Sequence, residues 1–182
     1  IYTSVDTLMI GYFLTSTDIG YYESATSLSR FFWLVPTAIG IVAYPAISEY
    51  WARKDLQAIN KLVDKTTKYS SCVLIFAGMA VIFFAKEIVS FIFTPEFLPA
   101  VLPLTILIIG TVTSGTLRSL GSIFAGVGRP DLTLKLTAIG AVGNVLLNAG
   151  LIPLYGIAGA ATATTTARVL FVIITIYPVS YT

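Results

Sequence analysis

The 182 residues are 56% hydrophobic and 11% charged, with 11 Lys+Arg against 9 Asp+Glu and no histidine. A soluble domain carries roughly 25% charged residues, so this chain has too few to coat a globule, and its mean hydropathy of +0.87 agrees. The lack of histidine excludes a Ser-His-Asp triad and His-based metal sites, and a net charge of +2 is too small to suggest nucleic acid.

Cys72, the single cysteine, lies in the apolar run Cys72-Val73-Leu74-Ile75-Phe76. It reads as an inert small apolar residue, so disulfide frameworks and zinc knuckles are out. No GxxxxGK[ST] phosphate loop occurs, which excludes ATP hydrolysis. No catalytic set is visible; neither an enzyme nor a cofactor is expected.

A bilayer span needs about 20 apolar residues, and the chain divides into six such stretches. The expected fold is an all-α polytopic membrane protein, with 1–182 forming a single six-helix transmembrane lobe. The first span, about 1–14, is expected to lack its beginning. The chain starts at Ile1 with no visible signal peptide and stops without a polar tail, so a fragment of something longer is expected. A turn at 15–20 leads to a second span, about 21–47, which Pro36 and Pro45 should bend or terminate.

Residues 48–68 are the one long polar stretch. Arg53, Lys54, Lys61, Lys65 and Lys68 face Glu49, Asp55 and Asp64 there, and Leu56, Ile59, Leu62 and Val63 recur at helical spacing. This predicts an interfacial amphipathic helix. A third span follows at about 69–84, then a polar patch with Lys86, Glu87, Pro95 and Glu96. The fourth span is about 98–124 and closes at Gly126-Val127-Gly128-Arg129-Pro130-Asp131. The fifth is about 132–152, breaking at Pro153, and the sixth about 156–177.

Loop charges set an expected orientation. The loop after span two carries five Lys/Arg, and the turn after span four carries Arg129 with Lys135 just beyond; the loops after spans one and five carry none. The positive-inside rule then makes the second and fourth loops cytoplasmic, together with both ends of the chain. Gly159, Ala163 and Ala167 share one face of the sixth span, and Gly140 and Gly143 lie in the fifth, as expected where helices pack closely in lipid.

Four ionisable residues stand out deep inside spans: Asp6, Arg30, Arg118 and Arg168. Each costs about 2.5–3.5 kcal/mol on insertion scales, so each needs a partner or a wet cavity. Counting ~1.5 Å per residue puts Asp6 ~12 Å, Arg30 ~14 Å and Arg168 ~18 Å below the outer surface, with Arg118 ~20 Å below it. Asp6 and Arg30 are the expected salt-bridge pair, and Glu23 is placed near the outer surface. Polar faces (Thr111, Ser114, Arg118 and Ser122; Glu23, Ser27 and Arg30; Thr164 or Thr165 with Arg168) suggest a shared hydrated cavity with positive charge. Asn144 and Asn148, one turn apart, either hydrogen-bond between helices or line that cavity toward sugar hydroxyls. Lys135 should snorkel. Arginine's planar, permanently charged fork suits an anionic headgroup better than a cation.

Several runs carry a resemblance. Val5-Asp6-Thr7-Leu8-Met9-Ile10-Gly11-Tyr12-Phe13, then Ile19-Gly20-Tyr21-Tyr22, Pro45-Ala46-Ile47-Ser48 and Gly128-Arg129-Pro130 occur in order. The most specific run extends from Asn144 to Thr164 and fits the pattern N..LN..LIP.YG..GAA.AT. Together they resemble the second half of polysaccharide and oligosaccharidyl-lipid flippases of the multidrug/oligosaccharidyl-lipid/polysaccharide exporter superfamily. The resemblance implies one C-terminal lobe of a two-lobe transporter in the cell membrane, whose partners are the bilayer, a lipid-linked saccharide and a first six-helix lobe. It also implies flipping of undecaprenyl-pyrophosphate-linked sugar units by alternating access, with Na+ or H+ as the candidate coupling ion. In that scheme Arg30, Arg118, Arg168, Asn144 and Asn148 are candidates for the substrate, and Asp6 for ion coupling or a salt bridge. Two alternatives stay open: a cation-coupled multidrug antiporter of the same superfamily, and a non-transport scaffold in envelope assembly.

Overall fold

The computed structural model describes residues 2–116 and 130–179. Among these every regular element is helical: α1 (Tyr2–Phe13), α2 (Ser16–Arg30), α3 (Leu34–Ala52), α4 (Leu56–Phe83), α5 (Ala85–Ile92), α6 (Val101–Thr116) and α7 (Pro130–Val179). Short 3-10 turns at Phe31–Trp33 and Pro95–Ala100 join α2 to α3 and lead into α6.

The spans begin and end differently from the hydropathy reading, for local reasons. Thr15-Ser16-Thr17-Asp18 is a capping box. The Asp18 amide donates to Thr15 Oγ1 at 3.3 Å, and Asp18 Oδ2 accepts from the Thr15 amide at 3.1 Å. The second helix therefore starts at Ser16, five residues earlier than hydropathy alone predicts. Pro36 does not end it: its missing N–H falls opposite the Phe32 carbonyl, the chain tightens to 3-10 at Phe31–Trp33, and helix resumes through Pro45 to Ala52.

No separate amphipathic helix exists at 48–68. Residues 48–52 finish α3, and Lys54 turns the chain with φ 57°. Asp55 then caps α4, its Oδ1 accepting from the Ala58 amide at 2.9 Å. The basic segment and the third span are thus one 28-residue helix. The expected break at Pro153 also moves, because the non-helical residue is Gly156 (φ 58°, ψ −140°), a conformation with little cost only for glycine. Pro153 stays inside the preceding arm.

Gly156 folds α7 into a hairpin. An unbroken helix would place Asn144 and Thr164 ~30 Å apart, yet Asn144 Nδ2 donates to Thr164 Oγ1 at 3.1 Å. The fold-back is tight: a Cβ on Gly159 would lie 2.1 Å from the Leu151 carbonyl oxygen, so the small residue expected for packing is required at this turn. Ala163 and Ala167 of the same stripe are buried.

Among the described residues, four stretches are long and apolar enough to cross a membrane: Ser16–Ala52, Leu56–Phe83, Pro95–Gly115 and Thr137–Phe171. The last is the hairpin and counts as two crossings, and α1, a shorter helix of 12 residues, packs beside them. The lobe is a multi-pass membrane fold packed around α6, whose Leu104, Leu107 and Ile108 are fully buried. It lies against α2, α4 and α7. Thr165 of α7 donates to the Ile106 carbonyl of α6 at 2.9 Å, a close approach that Gly110 makes possible. Large apolar residues such as Leu8, Val42, Phe76 and Leu154 face outward, as lipid in place of water allows.

Candidate functional site

The sequence brings one charged group to the centre of this lobe. Asp6 is eight residues from Leu14 at the first turn; Asn148 and Thr164 are each eight residues from Gly156 at the hairpin bend. Each therefore sits ~12 Å down its helix, and Tyr22, seven residues beyond the Thr15 cap, reaches a similar level. When α1, α2 and the two arms of α7 pack side by side, these four side chains meet.

They meet through hydrogen bonds. Asp6 Oδ2 accepts from Tyr22 Oη at 2.8 Å and from Thr164 Oγ1 at 2.5 Å; Asp6 Oδ1 accepts from Asn148 Nδ2 at 2.6 Å. Asn148 Nδ2 also donates to Asn144 Oδ1 at 3.2 Å, and Asn144 Nδ2 donates to Thr164 Oγ1. Asp6, Tyr22, Asn148 and Thr164 are all 0% exposed. A carboxylate offers only acceptors and here meets three donors, the arrangement that makes a charge tolerable away from water. One acceptor is left over, since the buried Asn148 Oδ1 has no hydrogen-bond partner.

Arg168 lies one turn beyond Thr164 and is 8% exposed. Its Nη1 donates to Thr111 Oγ1 of α6 at 2.8 Å, and its guanidinium sits 5.7 Å from the centre of the Trp33 ring. Thr111 is buried, and Ser114 spends its hydroxyl on the Gly110 carbonyl at 2.6 Å. Arg118 and Ser122 lie outside the described residues.

Arg30 is elsewhere. The expected Asp6–Arg30 pair does not form: Arg30 Nη2 lies 3.8 Å from Glu23 Oε2, with side chains 54% and 37% exposed. Thr7 Oγ1 donates to Glu23 Oε1, which ties the pair to α1. The cause is the capping box. With the helix starting at Ser16, Arg30 lies ~21 Å along it instead of ~14 Å, and Glu23 is beside the level of Asp6 rather than near the surface.

The structure thus unites Asp6, Asn144 and Asn148, sets Arg168 at the rim of that junction, and leaves Arg30 on an exposed face. Tyr22 and Glu23 are the partners missed. Their signal was their distance from the Leu14–Thr15 turn: residues 6 and 7 lie eight and seven positions before Leu14, and residues 22 and 23 lie seven and eight positions after Thr15. Chemically, the junction is a single carboxylate among amide and hydroxyl oxygens. Among the described residues no group of three or more His, Cys, Asp or Glu gathers, which is too little acidity for the usual carboxylate-rich divalent site. In this arrangement Tyr22, Asn148 and Thr164 all turn donors toward the one carboxylate.

Comparison with known proteins agrees with the fold. The model of a family described as "Polysaccharide biosynthesis protein" matches residues 1–102. The chain is 29% identical over 163 residues to the "Probable low-salt glycan biosynthesis flippase Agl15" of Haloferax volcanii, covering 90% of this chain and 34% of that protein. It is 25% identical over 170 residues to the "Probable flippase AglR" of the same organism, covering 90% and 35%. Among solved structures it is similar to the lipid II flippase MurJ in an inward closed conformation. That likeness has a TM-score of 0.81 and 20% identity, over 99% of this chain and 39% of that one. The chain spans about a third of the length of these curated relatives.

Proposed function

We propose a function from one premise: this chain belongs to the polysaccharide biosynthesis protein family, within the multidrug/oligosaccharidyl-lipid/polysaccharide exporter superfamily. The chain is one lobe of a transporter that moves a lipid-linked saccharide, carried on undecaprenyl pyrophosphate, between leaflets by alternating access. The observation that carries this reading is the match of 90% of the chain to proteins named as flippases. A first six-helix lobe completes the transporter. Loop charges favour a cell-membrane orientation with the basic turns, and both ends of these residues, on the cytoplasmic side.

The charged residues divide between two tasks. Arg30, on an exposed face, is suited to meet the anionic headgroup with its bidentate fork. Arg168, almost enclosed, keeps the adjoining interior positive, and Arg118 is a third candidate for the same field. Asp6 with Tyr22, Asn144, Asn148 and Thr164 is the site for the coupling ion, Na+ or H+. The unused Asn148 Oδ1 supports this assignment: a side-chain turn of that amide would bring a further oxygen toward the Asp6 carboxylate.

The test uses the full-length protein in liposomes. It compares translocation of a fluorescent undecaprenyl-pyrophosphate saccharide with efflux of a cationic dye, for wild type and Arg30→Ala. Saccharide-lipid movement without dye efflux, reduced about tenfold or more in the variant, is the expected result. Dye efflux alone would favour the multidrug antiporter. Neither activity would favour an assembly scaffold.

A further inference from the structure

The long helix α4 has two faces. Ile59, Ser70, Leu74 and Gly78 are buried along one side against the rest of the lobe. At 100° per residue the opposite side presents a stripe roughly 100° wide. Lys61, Lys65 and Lys68 form its foot; Cys72, Ile75, Phe76, Met79 and Phe83 continue it, and all eight are exposed.

The lysine foot has no internal use. Among the described residues the ion pairs are Arg30–Glu23 and Arg53–Glu49, so none of the three lysines makes one. Residues 53–68 hold five basic and two acidic side chains, Asp55 and Asp64, and Asp55 Oδ1 is committed to capping α4. The foot is a positive field at the base of an apolar stripe, with exposed Tyr69 at the boundary between them.

We propose that this stripe holds an anionic phospholipid of the leaflet into which α4 rises. The dimensions match. The lysines extend over ~10 Å, and Cys72 to Phe83 covers ~17 Å, close to the ~15 Å depth of one hydrocarbon leaflet. A lipid whose phosphate meets Lys61, Lys65 and Lys68 lays its acyl chains along Ile75, Phe76 and Met79 without changing its orientation in the bilayer. A merely solvated charge run would not need an exposed apolar continuation on the same face. Juxtamembrane lysines attract anionic headgroups individually; here three share one exposed helix face within ~10 Å.

The proposal is independent of the transport reading. Its test counts lipids retained by the full-length protein in native mass spectrometry, after titration with phosphatidylglycerol or phosphatidylcholine of equal chain length. Wild type should prefer phosphatidylglycerol by about tenfold or more, and added salt should weaken the preference. Lys61→Gln, Lys65→Gln and Lys68→Gln combined should abolish it, while the three Lys→Arg changes, which preserve charge and membrane orientation, should keep it. Lys86→Gln, in α5 just beyond the far end of α4, should leave it intact. Equal retention of the two lipids, or an unchanged preference in the triple Gln variant, would overturn the proposal. So would preferential retention of a lipid-linked pyrophosphate saccharide through the same lysines, which would make the stripe a capture site for transported lipid.

Discussion

Asp6 and Arg30 are both charges carried inside the membrane-spanning part of this lobe, yet the fold treats them in opposite ways. Asp6 is fully enclosed, and side chains from α2 and both arms of α7 donate to it. Arg30 keeps more than half of its side chain exposed beside Glu23, at 3.8 Å. The difference teaches that the cost of a charge in lipid can be met in two ways. A closed hydrogen-bond shell makes the charge part of the lobe's own packing. An open face keeps the charge beside a counter-charge at the surface of the lobe, where the proposed substrate would lie.

This contrast can be broken most forcefully at Asp6. Asp6→Ala would strand the Tyr22 hydroxyl, the Thr164 hydroxyl and the Asn148 amide, each a buried group costing about 1–3 kcal/mol when unsatisfied. A large drop in melting temperature in mild detergent, or loss of a monodisperse peak, is expected. Gly159→Val should come next. Its side chain would enter the space of the Leu151 carbonyl, and overpacking of about 1–3 kcal/mol or more should reduce folded yield through the α7 hairpin.

Smaller effects sharpen the comparison. Thr165→Val removes the hydrogen bond to the Ile106 carbonyl and should cost about 0.6–1.5 kcal/mol, seen as a modest shift in thermal unfolding. Arg30→Ala should change stability least, by about 1 kcal/mol or less, since an exposed pair at that distance holds little. Its loss should instead fall on transport. A destabilisation at Arg30 as great as at Asp6 would erase the distinction between the two environments.

Much of the fold was legible in the sequence because apolar run length reports directly on what can cross lipid. The long apolar crossings, the hairpin and the small-residue stripe at Gly159, Ala163 and Ala167 follow from that. Boundaries were less legible because they rest on single local interactions. The capping box at Thr15 and Asp18 moved a helix start by five residues, and with it the level of Glu23 and Arg30. Gly156, rather than Pro153, takes the bend because a positive φ, not a missing N–H, is what reverses the chain.

For the site, helical depth matched Asp6 with Arg30, whereas its partners are Tyr22, Asn148 and Thr164. A residue's level along a helix can be counted. Which neighbour it faces depends on how the helices rotate against each other, and neither Tyr22 nor Thr164 announces that rotation in a single sequence.

The most direct measurement of the central claim is translocation of the saccharide lipid by full-length protein in liposomes, with and without an imposed Na+ or H+ gradient, for wild type and Asp6→Asn. The account predicts that one gradient accelerates wild type and that the variant, keeping the size of the side chain without its charge, loses that acceleration. An Asp6→Asn protein that responds to the same gradient as wild type would contradict it, and the junction would then be packing alone.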